Sequence, residues 1–235
     1  MNDSSARKFA AEFLGTLFLV AAVVGSGIMA EHLSGGNSAL ALLANTIATG
    51  AALVALIQTF GPISGGHFNP AVTFADALED GVSWARAAQY MSAQILGGTA
   101  GACIAHLMFG LPIVSISHHV RSGQAQVFSE FVATFGLLCV IWGCSRACAS
   151  TVPFAVGSYI VAAYWFTAST SFANPAVAIA RSMSNTFSGI RPADVPYFVF
   201  AQFGGAAAAT ILFRWLAPGI EANAKEVVLP RVHSA

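Results

Sequence analysis

Asn-Pro-Ala occurs twice in the chain, at Asn69-Pro70-Ala71 and at Asn174-Pro175-Ala176, each at the end of a Gly- or Ser/Thr-rich stretch inside otherwise apolar sequence. Asn is a favoured helix cap and Pro a favoured first helical residue. Each copy therefore predicts the start of a short helix, and in a bilayer such a break survives only where it is covered by protein or lines a wet path. The apolar stretch after the first copy ends near Leu78, where Asp76, Glu79 and Asp80 mark a return to water, so it is too short to span. Two half-helices entering from opposite faces would bring their N-termini together at mid-bilayer, where the partial positive charge opposes cations and protons. The Asn69 and Asn174 amides would then offer donors to the oxygen of an uncharged solute. The loop carbonyls before them would serve as acceptors.

Other residues able to do chemistry are few. Glu12 and Glu130 lie inside apolar runs, where a lone carboxylate is expensive, so both are expected to face the interior and accept hydrogen bonds from backbone N–H groups of the broken loops. A proton relay is the alternative, but no buried Lys, Arg or Asp lies in a span to share the proton. His67, just before the first Asn-Pro-Ala, is expected to brace its loop, with gating by protonation as the sharper option. His118, His119 and Arg121 are expected in a solvated outer turn. Cys103, Cys139, Cys144 and Cys148 show no CxxC and no His spacing of a metal site; they are expected to be small buried hydrophobes, and a soft thiophilic ion at Cys139, Cys144 and Cys148 is the alternative. No resident metal, no cofactor and no catalytic constellation is expected.

Hydrophobic residues make up 56% of the 235 and charged residues 9%, against roughly 25% charged in a soluble domain; mean hydropathy is +0.70. An all-α membrane protein is expected, with six spans of about 20 residues: Phe9 to Met29, Leu40 to Phe60, Trp84 to Met108, Phe128 to Ser145, Pro153 to Thr170 and Tyr197 to Leu216. Zero net charge and the absence of charge runs argue against a nucleic-acid partner. Arg7, Lys8, Arg86, Arg146, Arg214, Lys225 and Arg231 fall on one side, and Arg121, Arg181 and Arg191 on the other. That bias places both termini in the cytoplasm. Arg7-Lys8 and the following apolar run resemble a signal peptide, but no good cleavage site follows, so an uncleaved first span is expected.

The chain also matches itself. Glu12-Phe13-Leu14-Gly15-Thr16 recurs as Glu130-Phe131-Val132-Ala133-Thr134, and Ala93-Gln94-x-x-Gly97 as Ala201-Gln202-x-x-Gly205. Residues 1–235 are thus one domain of two repeats, approximately 9–110 and 128–216. Three spans per repeat force opposite orientations and put the functional site at the interface near the midplane. Gly97, Gly98, Gly101, Gly204 and Gly205 are expected at tight helix crossings.

Through Ser64-Gly65-Gly66-His67-Phe68-Asn69-Pro70-Ala71-Val72-Thr73, the second Asn-Pro-Ala and the Glu and Gln-x-x-Gly repeats, the sequence resembles the aquaporin and aquaglyceroporin family over essentially its whole length. The resemblance implies a six-helix channel with two re-entrant half-helices, a homotetramer with one pore per protomer, and passive flow of small uncharged solutes. It also implies a constriction of four positions. Counted from the two Asn residues, these fall on Thr49, Ala162, Ser171 and Val177, where the family usually has Arg at the last and one or two aromatics among the others.

Val177 in place of that Arg removes a charge and up to five donors, so the expected ring is wide, weakly polar and neutral. Arg181, one turn beyond Val177, is expected to snorkel at the interface, with a collar over the outer mouth as the alternative. The ring and the run Asn174 to Arg181 resemble a bacterial branch associated with arsenic resistance, the AqpS-type metalloid channels. Arsenite, methylated arsenicals, glycerol and water are therefore the expected solutes, across an inner membrane. A water- or glycerol-dominant channel is the nearer alternative; a thiol-based metalloid sensor or a non-conducting scaffold is the more distant one.

Overall fold

The computed structural model describes residues 3–217; Lys225 and Arg231 of the charge count lie outside them. The described chain is helical, in the order α1 (Asp3–Leu33), α2 (Ser38–Ser64), α3 (Pro70–Leu78), α4 (Trp84–Met108), α5 (Gln124–Ala147), α6 (Val152–Phe166), α7 (Pro175–Arg181) and α8 (Val195–Leu216). Six are long, while α3 and α7 have 9 and 7 residues, too short to cross a bilayer. Asn37 and Ser83 cap α2 and α4 with side-chain oxygens, as helix starts favour.

Five of the long segments are apolar enough to cross a membrane on composition alone, and α4 is not among them. The expected third span is present at 25 residues, long enough at about 37 Å. Arg86, Gln89, Gln94 and His106 dilute its hydropathy, and Gln94 and His106 are fully buried. The fifth expected span, drawn to Thr170, stops earlier. Helix α6 ends at Phe166, and Thr167 donates both its N–H and its hydroxyl to the Ala163 carbonyl.

Packing follows the repeat. Helix α1 packs chiefly on α4 and α2, α5 chiefly on α8, and α2 crosses α6 between the halves. Glycine permits the closest approaches. A Cβ at Gly97 would overlap the Phe13 carbonyl oxygen, one at Gly101 the Leu17 carbonyl oxygen and one at Gly205 the Phe131 carbonyl oxygen. Phe13 and Phe131 follow the repeated Glu residues, so both halves make the same crossing with the same pair of positions. Gly98 instead faces the Ala176 carbonyl of α7, and Gly204 meets only the Phe131 ring at ordinary distance. Gly97→Ala is therefore expected to lower stability by about 1–3 kcal/mol through forced separation of α1 and α4, whereas Gly204→Ala should be close to neutral. Thermal unfolding of the two purified variants in one detergent distinguishes them.

Candidate functional site

The two half-helices meet cap to cap. Asn69 and Asn174 share extended backbone, with φ of −152° and −157°. Asn69 Oδ1 accepts from the Ala71 N–H at 2.9 Å; Asn174 Oδ1 accepts from Ala176 and Val177 at 3.0 and 3.3 Å. Pro70 and Pro175 occupy the first helical turn, where a missing N–H costs nothing. Each amide nitrogen also donates across the pseudo-symmetry axis, Asn69 to the Ala173 carbonyl at 2.7 Å and Asn174 to the Phe68 carbonyl at 2.8 Å. An amide carries two hydrogens. One from each Asn ties the halves together, and the second is available to the cavity that both residues line.

The loops entering these caps carry matched left-handed residues. Gly65, Gly66 and Phe68 have φ of 100°, 64° and 49°; at the corresponding distances before Asn174, Thr170, Ser171 and Ala173 have φ of 61°, 48° and 48°. Non-glycine residues in this region cost on the order of 1–3 kcal/mol each and persist only where surroundings hold them. The buried carboxylates do so. Glu12 accepts from Ser64 Oγ (2.5 Å), His67 N (3.1 Å), Phe68 N (2.8 Å) and Gln94 Nε2 (2.7 Å). Glu130 accepts from Ser169 Oγ (2.6 Å), Phe172 N (2.8 Å), Ala173 N (2.9 Å) and Gln202 Nε2 (2.5 Å). All four lone-pair sites of each carboxylate are used, by matched partners.

Accessory contacts hold the first half-helix. His67 lies 3.1 Å from Thr73 Oγ1 and 3.5 Å from Asp76 Oδ2, with its ring edge-on to Tyr90. Arg214 of α8 donates to Glu79 and to the Leu78 carbonyl, clamping the end of α3.

A cavity runs past both caps. Its wall is largely apolar, with Leu19, Val23, Leu53, Ile57, Leu137, Ile141 and Val156, and its polar points include His67, Asn69, Asn174, Thr49 and Ser171. About 60 Å³ is open to the centres of water-sized molecules, room for about four to six waters. Of the four expected constriction residues, Thr49, Ser171 and Val177 line this cavity and Ala162 does not. Ala162 is exposed on the outside of α6. At 100° per residue it lies nearly opposite both Ile160 and Tyr164, and these are the α6 side chains in the wall. The expectation of a ring without an aromatic is thereby corrected: Tyr164 supplies one, its hydroxyl 3.3 Å from Thr49 Oγ1.

Arg181 also departs from the expected interfacial position. It is 2% exposed and lines the cavity. Its Nε donates to the Ser188 carbonyl and its guanidinium stacks 3.4 Å from the centroid of Phe172. The cavity wall is therefore not electrically neutral throughout; a charge stands one turn beyond Val177. Arg121 departs likewise from the solvated turn expected for it. Its Nε donates to the Gly189 carbonyl and its Nη1 to Ser169, while its N–H donates to Asp194. Burial pushes the Arg121 pKa down to about 10, which leaves it protonated at pH 7. The four cysteines are free thiols, Cys148 exposed and the others half-buried, and among the described residues no group of three His, Cys, Asp or Glu could hold a metal ion.

The sequence profile of the major intrinsic protein family matches residues 2–171. The chain belongs to that family. Aquaglyceroporin AqpS of Rhizobium meliloti (strain 1021) is 58% identical over 210 residues, covering 89% of this chain and 90% of that protein. Aquaporin NIP1-4 of Oryza sativa subsp. japonica is 34% identical over 206 residues, 84% of this chain and 72% of its own. The X-ray structure of the aquaglyceroporin from Plasmodium falciparum shares the fold, with a TM-score of 0.72 over 93% of this chain and 99% of that one, at 20% identity. This major intrinsic protein is accordingly a multi-pass membrane channel for small solutes, not an enzyme.

Gln94, Gln202 and Tyr164 complete the site beyond the residues expected from sequence. The two glutamines stand in the sequence as a repeat beside the glycines of the helix crossings. The matched spacing from Glu12 and Glu130 was the available signal. Tyr164 gave none, because its direction depends on where α6 stops.

Proposed function

We propose that this major intrinsic protein is a passive homotetrameric pore for neutral hydroxylated solutes larger than water. Glycerol-type polyols and trivalent arsenic are the solutes, the latter an uncharged trihydroxide near pH 7. Water accompanies them. The observation that carries the reading is Val177, 5% exposed and in the cavity wall at the turn after the second cap. An isopropyl group there leaves space and offers no donor, so entry at that level is set by size and apolar contact rather than by charge. The long apolar wall suits solutes with carbon or methylated arsenic on one side and hydroxyls on the other. Similarity to a protein described as an aquaglyceroporin supports polyols. The excess of Arg and Lys on the side of the termini supports an inner membrane with both termini cytoplasmic.

A second reading, a water-dominant pore, draws on Tyr164 and Arg181, which narrow the wall more than the spacing implied. Proteoliposomes separate the two. Light scattering after an osmotic step is expected to report glycerol entry well above protein-free vesicles, and trivalent arsenic added outside is expected to accumulate inside to the external concentration and no further. Water flow without either solute would leave only the water channel. Accumulation above the external level under an imposed pH gradient would show a coupled transporter. Replacing Cys139, Cys144 and Cys148 together by Ser is expected to leave all three fluxes unchanged, which a thiol-based sensor does not allow.

A further inference from the structure

A second cavity lies above the pore, on the face that carries the connection between α4 and α5. Its volume is about 410 Å³, in the range of small-molecule sites. Arg181 lines both cavities and so stands at their junction, and Arg121 and His119 face the outer one. The two guanidiniums share one aromatic neighbour, at 3.4 and 5.0 Å from the Phe172 centroid. Among its described lining residues there is no carboxylate. The acids nearest in effect are Glu130, whose oxygens already accept four hydrogen bonds, Asp194, which accepts from the Arg121 N–H and pairs with Arg191, and Glu31, exposed on α1.

The Arg181 guanidinium is under-used. Its Nε donates to the Ser188 carbonyl, and among the described residues its buried Nη1 has no hydrogen-bond partner, a costly state for a charged group. The start of α2 adds to it: Ser38 and Ala39 line the same cavity, so the positive end of a 27-residue helix faces the two arginines. His119 does not compensate. Burial, then Arg121 and Arg181, push its pKa below the ordinary value, so it enters the vestibule as a neutral group able to donate one hydrogen bond.

We propose that this vestibule binds a tetrahedral oxyanion of the phosphate or sulfate class at the Arg181 guanidinium, and that the bound anion restricts entry to the pore. A guanidinium with a free N–H suits such an oxygen, and a low-dielectric cleft with one sign of charge concentrates the anion. The anion is held there because the path beyond is narrow and walled by Leu, Val and Ile side chains, which return none of its hydration. Neutral solutes face no such barrier and compete for the same donor.

Calorimetric titration of the purified protein with inorganic phosphate and with sulfate at low ionic strength tests the binding without reference to conduction. Saturable binding is expected. Arg181→Leu is expected to weaken it about tenfold or more, as loss of a charged hydrogen bond does. Because Arg181→Leu also removes the Ser188 contact, Ser38→Asp is the second variant; it places a carboxylate in the cavity at a helix start that favours acids and is expected to weaken binding as much while keeping the wild-type melting temperature. No saturable binding, or equal binding by wild type and both variants, overturns the site. Binding without slower water flow in proteoliposomes overturns the restriction of the pore.

Discussion

Val177→Arg is expected to lower glycerol and trivalent arsenic flux by about tenfold or more, the effect of roughly 1.4 kcal/mol on the barrier. Water flow should stay within about threefold, because pore diameter decides between the two solutes. Three things act together. The cavity leaves only about 60 Å³ for the centres of water-sized molecules, and a guanidinium at residue 177 would occupy part of it. Residues 177 and 181 are one turn apart on α7, so the new cation lies beside Arg181, and like charges at that spacing repel. The new donors would also bind solute oxygen beside the second cap, and tight binding there slows exit. Flux measured in proteoliposomes with matched protein content checks this. Unchanged glycerol entry would mean that Tyr164 and Arg181, not Val177, set the limiting width.

Glu130→Ala is expected to destabilise the protein by several kcal/mol, at roughly 1–3 kcal/mol for each buried donor left without an acceptor. Ser169 Oγ, the Phe172 and Ala173 N–H groups and Gln202 Nε2 would lose their common acceptor. The loop they fix has three residues at positive φ without glycine among them, Thr170, Ser171 and Ala173. Glu12→Ala should be milder, because its loop places Gly65 and Gly66 at two of the matched positions, where positive φ is free of strain. Thermal unfolding in detergent ranks the two variants. If they melt together, the carboxylates act mainly as packing and the asymmetry of the loops carries no weight.

Much of this site is legible in the sequence. Asn followed by Pro specifies a helix start almost by itself, and a carboxylate repeated in two apolar runs leaves few choices but inward. Direction near a helix end was harder. Counting residues from Asn174 pointed to Ala162, yet α6 ends at Phe166 and its phase turns Ile160 and Tyr164 inward. The arginines were misjudged for a related reason. Composition says a charge in an apolar chain seeks water, but Arg121 and Arg181 are held inside by loop carbonyls of Ser169, Gly189 and Ser188, which no periodicity announces. Helix α4 shows the converse, since buried Gln94 and His106 lower its hydropathy while serving its interior contacts.

The exchange of hydrogen bonds between the two caps also bears on how the chain is made. Asn69 donates to a carbonyl 104 residues further along, and at ribosomal speed that acceptor appears about 5–20 s later. Until then the first half-helix has its own cap and Glu12, but half of its amide faces no finished partner. The first repeat therefore waits in the membrane as an incomplete structure, and completion of the pore coincides with arrival of the second.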